Sequence, residues 1–106
     1  MLPKLDPLLH SELRLAIISI LAVVDEADFT FIKKQTGATS GNLSVQIDKL
    51  TTAGYIAVEK GFNGKMPRTT CRITPLGQEA FSNYVEALKE YISAGPTQER
   101  RAASPR

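Results

Sequence analysis

After Gly54 the hydrophobic pattern changes period, and it changes back at Pro75; no other feature restricts the fold of this chain as strongly. Before the change, Leu43, Ile47 and Leu50 stand at i, i+4 and i+7, the spacing of one helix face. From Tyr55 the period is two, with Ile56 and Val58 alternating with Ala57 and Glu59 as in a half-buried strand. Arg68 to Thr74 alternates again, placing Cys71 and Ile73 on one face. Between them Gly61-Phe62-Asn63-Gly64-Lys65-Met66-Pro67 reads as a loop, with Asn63-Gly64 as a hairpin signal. A two-stranded hairpin is therefore expected between helices. With 106 residues the chain has room for one domain and not for two.

The first helix is expected to start near Asp6 or Pro7, a capping residue followed by a proline suited to the first turn. Leu13, Ile17, Ile20, Leu21 and Val24 share one face, while Leu8, Leu15, Ile18 and Ala22 fall mostly on the other. A surface helix of a monomer carries one apolar stripe. Two stripes imply burial on both sides, one against the chain's own core and one against a partner helix. Asp25 to Asp28 reads as an acidic turn, Phe29 to Phe31 as a brief strand, and Phe31 to Thr36 as a short helix stopped by Gly37 in a left-handed cap. Thr39 or Ser40 then caps a longer helix ending at Gly54. Its outward side, Gly41, Val45, Asp48 and Thr52 flanked by Asn42, Ser44 and Lys49, is small and polar, which suits close approach by a large molecule. Thr74 or Pro75 opens the last helix, whose apolar stripe runs through Leu76, Ala80, Phe81, Tyr84, Val85, Leu88, Tyr91 and Ile92. Past Ala94 the composition turns to Gly, Pro, Ser, Thr and Arg, so residues 1–94 are expected to form the domain and 95–106 a disordered tail.

The order is helix, two helices joined by a short glycine-containing turn, hairpin, helix. Two helices so joined are the unit that lays its second helix in a DNA major groove. A hairpin directly after it, with Lys60, Lys65 and Arg68, is placed to meet backbone or minor groove. The fold class expected is α+β, mainly helical: a winged helix-turn-helix with a two-stranded β-hairpin wing and terminal helices available for dimerisation. Charge follows the same division. Residues 1–32 carry a net −3, residues 33–72 a net +5, residues 73–96 a net −2, and the tail from Thr97 a net +2. A basic middle between acidic flanks suggests a phosphate-binding face on a domain whose other side meets something else.

Other functions lack parts. One cysteine, Cys71, excludes an internal disulfide and a cysteine-cluster zinc site, and with His10 as the one histidine most nucleophilic and metal chemistry has too few groups. Cys71 reads as a small core residue and His10 as a surface or satisfied residue. Gly61-Phe62-Asn63-Gly64-Lys65 has the wrong spacing for a phosphate loop, and Met66 stands where Ser or Thr belongs. The apolar run Leu15 to Val24 is too short to span a bilayer, and Met1 to Pro7 does not read as a secretory signal, so a cytoplasmic location is expected. No catalytic residue, metal or cofactor is assigned.

Thr39-Ser40-Gly41-Asn42-Leu43-Ser44-Val45-Gln46-Ile47-Asp48-Lys49-Leu50, followed by Ala53-Gly54-Tyr55-Ile56, resembles the recognition-helix signature of MarR-like winged-helix regulators, in particular their small branch of bare winged-helix proteins. Pro67-Arg68-Thr69-Thr70 running into Ile73-Thr74-Pro75-Leu76-Gly77 resembles their wing and the entry to their last helix. Leu5 to Leu21 is similar to a first helix that this branch shares with ArsR-like regulators. The resemblance implies a double-stranded DNA partner, with a recognition helix at about 39–53 and a wing at about 60–69. It gives Ser40, Gly41, Asn42, Ser44, Val45 and Lys49 to the major groove, and Lys65 and Arg68 to the wing. On physical grounds Asn42 is suited to an adenine edge and Val45 to a thymine methyl. The second stripe of the first helix leads to an expected homodimer joined through the first and last helices, with Leu8, Leu15, Ile18, Ala22, Tyr84, Leu88 and Tyr91 at the interface, and the resemblance implies repression as the commoner outcome of binding. Full-length MarR-type regulators have further helices framing an effector pocket, and ArsR-type metal sensors use ligand sets that this chain lacks. Neither a small-molecule effector nor metal sensing is expected. The competing reading is a winged helix used as a protein-interaction module, its basic face meeting an acidic partner.

Overall fold

A helix fully buried along one side, α1 (Glu12–Val23), organises the computed structural model, which describes residues 1–94. It is followed by β1 (Ala27–Asp28), α2 (Phe29–Thr36), α3 (Ser40–Thr52), β2 (Ile56–Asn63), β3 (Met66–Ile73) and α4 (Pro75–Ala94). The three strands form one antiparallel sheet in the order β1-β3-β2. This is the expected winged helix. The tail expected to be disordered lies outside the described residues.

The start of α1 differs from expectation. Asp6 does cap a turn, its Oδ1 accepting from the Leu8 N–H at 2.9 Å and its carbonyl from the His10 N–H at 2.9 Å. That turn does not continue into the helix. In a continuous helix the Leu8 carbonyl would accept from the N–H four residues on, but Arg14 Nε takes it at 2.6 Å. The chain straightens at Ser11 and α1 begins at Glu12.

The acidic turn is shorter than expected, because β1 forms at Ala27–Asp28, not at Phe29–Phe31. Asp28 caps α2 through Oδ1, which accepts from the Phe31 N–H at 2.8 Å, and this draws Phe29 and Thr30 into the helix. Gly37 ends α2 in the left-handed conformation expected for it, at φ 72°. Thr39 caps α3 by accepting from the Asn42 N–H at 3.2 Å.

The segment expected as a loop is mostly strand. Gly61 pairs with Arg68, Phe62 with Pro67 and Asn63 with Met66, leaving Gly64-Lys65 as a two-residue turn. Gly64 has φ 66° and among the described residues only glycines have a positive φ, so only the first turn position needs glycine, as in a type II′ hairpin. Because β1 reaches only Thr70 and Cys71, β3 has an open edge at Pro67, where proline is tolerated.

The core joins Ile17, Ile18 and Leu21 of α1 to Ile32 of α2, Leu43, Ile47 and Leu50 of α3, Ile56 and Cys71 of the sheet and Tyr84 of α4. Entry into α4 is tightly built. Thr74 Oγ1 donates to the Gly54 carbonyl at 2.6 Å and accepts from the Gly77 N–H at 3.0 Å. A Cβ at Gly77 would overlap the Tyr55 carbonyl oxygen, so only glycine lets the helix approach the backbone just before β2 this closely. Three phenols then tie down the first ten residues. Tyr55 Oη donates to Asp6 Oδ2 at 2.6 Å, Tyr91 Oη donates to the Pro3 carbonyl at 2.6 Å, and Tyr84 Oη lies 3.0 Å from His10 Nδ1.

Candidate nucleic-acid interface

Burying Leu43, Ile47 and Leu50 turns the opposite side of α3 to solvent. Ser40, Gly41, Asn42, Ser44, Val45 and Lys49 are all exposed there, as are Lys65 and Arg68 on the hairpin. The first turn of α3 offers backbone N–H groups, and with Thr39 Oγ1 occupied by Asn42 the remaining donors are available to an anion.

The polar side chains of α3 are ordered from α1. Arg14 Nη1 donates to Gln46 Oε1 at 2.5 Å, and Gln46 Nε2 donates to Asn42 Oδ1 at 3.0 Å. This relay escapes a sequence reading because Arg14 and Gln46 are 32 residues apart and neither belongs to an apolar stripe.

The wing is less free than its composition suggests. Arg68 Nε lies 3.5 Å from Asp28 Oδ2, so one carboxylate both caps α2 and holds the wing arginine. Arg72 pairs with Glu26 at 3.2 Å and with Glu59 at 3.5 Å. By contrast Lys33, Lys34, Lys49, Lys60 and Lys65 form no ion pair among the described residues. The positive potential of the middle segment thus comes from lysines on α2, α3 and the hairpin, while its arginines are partly neutralised.

The residues expected at a dimer interface are scattered. Ile18 is fully buried in the chain's own core and Tyr84 is 4% exposed, so neither can meet a partner. A residue near the middle of α1 is enclosed by β3 and the other helices once the sheet forms, which the two-stripe pattern could not reveal. Leu8 lines an open groove of about 470 Å3 with Val45, Asp48, Lys49, Thr52 and Ala53, along α3, and no residue of α4 lines it. Tyr91 is bonded to the N-terminal segment and Leu15 and Leu88 are half-buried. Ala22 is exposed and shares a shallow concavity with Phe81 and Val85 of α4.

Cys71 is fully buried, and its thiol is pushed up to about 11, first by desolvation and then by the nearby Asp28 carboxylate. Its environment is that of a core residue and not of a reactive thiolate. No group of three potential metal ligands occurs among the described residues. Nor is any described helix long and apolar enough to cross a membrane.

Comparison with known proteins agrees with this geometry. A family model described as a winged helix DNA-binding domain matches residues 13–92. An uncharacterised protein of Methanocaldococcus jannaschii is 29% identical over 76 residues, covering 72% of this chain and 83% of its own. The structure of a transcriptional regulator homologue from Pyrococcus horikoshii superposes with a TM-score of 0.76 at 31% identity, covering 81% of this chain and 85% of that one. A putative transcriptional regulator from Salmonella typhimurium shares the fold with a TM-score of 0.68 at 20% identity, over 81% of this chain and 75% of that one. The matched family is one of DNA-binding domains, and the structural neighbour at 31% identity is a transcriptional regulator homologue.

Proposed function

The chain belongs to the winged helix DNA-binding domain family, and on that premise we propose that it is a sequence-specific double-stranded DNA-binding transcriptional regulator acting as a homodimer in the cytoplasm. The observation that carries this reading is the outward side of α3, small, polar and exposed, on a domain whose α2, α3 and hairpin carry five lysines that have no acidic partner among the described residues. Phosphate contacts from lysines position a protein on the duplex, while base contacts from a helix in the groove specify sequence. In this reading Ser40, Gly41, Asn42, Ser44, Val45 and Lys49 face the major groove, and Lys65 with Arg68 follows the backbone or minor groove.

A homodimer places two such helices in successive major grooves of a roughly palindromic site, with half-sites about 10 bp or a multiple apart. Occupying a promoter in this way represses transcription by excluding polymerase. An apolar row on α4, Phe81, Val85, Leu88 and Ile92, together with Ala22 of α1, supports the dimer; Ala22 and Leu88 belong to the interface set expected from sequence, and Phe81, Val85 and Ile92 extend it.

The test is an anisotropy titration of the full chain against random duplexes at several salt concentrations, followed by sequencing of the bound fraction. Expected are a steep negative log–log salt slope and an enriched palindrome. A slope without enrichment would overturn sequence specificity. No binding at low salt would overturn DNA as the partner and favour a protein-interaction module.

A further inference from the structure

We propose that Arg14 and Gln46 act as positioning residues that decide which base edge Asn42 reads, by holding its side-chain amide with the –NH2 group outward. The proposal rests on α3 being the helix that enters the major groove. It concerns two residues that offer DNA nothing directly.

The argument depends on what each group can do. A guanidinium donates and never accepts. Arg14 Nη1 meets the Gln46 amide at 2.5 Å, so the end of Gln46 facing it is the carbonyl. The other end, an –NH2, lies 3.0 Å from the Asn42 amide and requires an acceptor there, so that atom is Oδ1. Either amide alone could be turned end over end, but one group that cannot reverse sets both. Arg14 is itself anchored, its Nε donating to the Leu8 carbonyl at 2.6 Å, and its charge is permanent. What remains on the exposed side of α3 is Asn42 Nδ2, which has no partner among the described residues.

This changes the base expected. Bidentate reading of adenine needs Oδ1 and Nδ2 together, one accepting from N6 and the other donating to N7. With Oδ1 held towards Gln46, the –NH2 group is the end of the amide turned away from the relay, and the pair of atoms is no longer free to align with one adenine edge. Guanine offers two adjacent acceptors, N7 and O6, to an outward –NH2. Asn42 therefore selects guanine, where composition and position alone suggested adenine.

The experiment is selection from random duplexes by the full chain and by the variants Asn42→Ala, Gln46→Glu and Gln46→Ala, with unfolding temperatures measured in parallel. Asn42→Ala identifies the position it reads by erasing preference there. Gln46→Glu still accepts from Arg14 but can no longer donate to Asn42, so the amide turns and presents Oδ1. Guanine should then give way by about tenfold to a base carrying an amino group, at an unchanged unfolding temperature. Gln46→Ala releases the amide and should enrich adenine. The added charge of Gln46→Glu weakens all sequences alike, so the ratio between bases at that one position is the readout. An unchanged preference in Gln46→Glu, or a wild-type preference for adenine, overturns the relay while leaving DNA binding intact. A wild-type chain that binds no duplex overturns the DNA reading itself. Side-chain amide exchange in the free protein gives an independent arm: Gln46 Nε2 protons should exchange more slowly than those of Asn42 Nδ2, and the reverse order would overturn the relay.

Discussion

Tyr55 sits where the end of the recognition segment, the N-terminal turn and the entry to α4 converge, and its chemistry reflects that position. Its phenol is pushed up to about 12, first by the hydrogen bond it donates to Asp6, then by burial and by the Asp6 charge. Ionising the phenol would remove the donor and set two negative charges side by side. The folded value exceeds the ordinary one of 10.0, so the stabilisation is complete below about pH 10 and is lost as pH rises towards 12. Tyr55→Phe should therefore unfold at a lower temperature than wild type at neutral pH, and the gap should close between about pH 10 and pH 12. Melting curves across that range check this, and a gap that persists at the upper end would count against the Asp6 bond. At this scale the sequence is legible in parts. Thr39 as a cap and Cys71 as a core residue follow from local rules. The polarity of the Asn42 amide does not, because it depends on an arginine two helices away.

At the scale of elements, the wing and the start of α2 form one electrostatic unit. Asp28 caps α2 with one oxygen and holds Arg68 with the other. An exposed pair of this kind is worth little to stability, but it competes directly with phosphate for the arginine. Arg68→Ala should weaken binding to all duplexes alike and flatten the log–log salt slope by about one unit. Asp28→Asn keeps a capping oxygen and frees the arginine, so it should tighten binding at low salt without shifting base preference. Anisotropy titrations over a salt series distinguish the two. If Arg68→Ala leaves affinity and slope unchanged, the wing arginine does not meet phosphate. The hairpin was readable from its change of period. Its true length was not, since alternation is weak through Gly61 to Pro67 and only pairing with a partner strand shows that these residues are extended.

For the whole molecule, what matters is how α4 is used. Its buried side, centred on Tyr84, packs on α1 and on the first ten residues. A second row, Phe81, Val85, Leu88 and Ile92, stays partly or fully exposed, with Ile92 at 70%. Because Ile92 lies outside the core, Ile92→Glu should leave the unfolding temperature of the protomer unchanged while shifting sedimentation from dimer to monomer. A variant that sediments as the wild-type dimer would place the interface elsewhere. A charge at Ile18 would not serve this purpose, since that side chain is fully buried and its replacement would unfold the chain.

The order of elements, the winged-helix class, the outward side of α3 and the resemblance to MarR-like regulators all follow from the sequence itself. Each rests on periodicity, capping or a run of neighbouring residues, which are local properties. Three things were decided only when the chain folded. Which stripe of α1 is enclosed depends on β3 and α4 arriving from far along the chain. Which cations remain available depends on carboxylates of β1, of the turn before it and of β2, which strand pairing brings beside the arginines of β3. Which end of Asn42 faces outward depends on Arg14. In each case the deciding contact joins residues tens of positions apart, and a pattern read along the chain holds no information about partners that only the tertiary fold brings within reach.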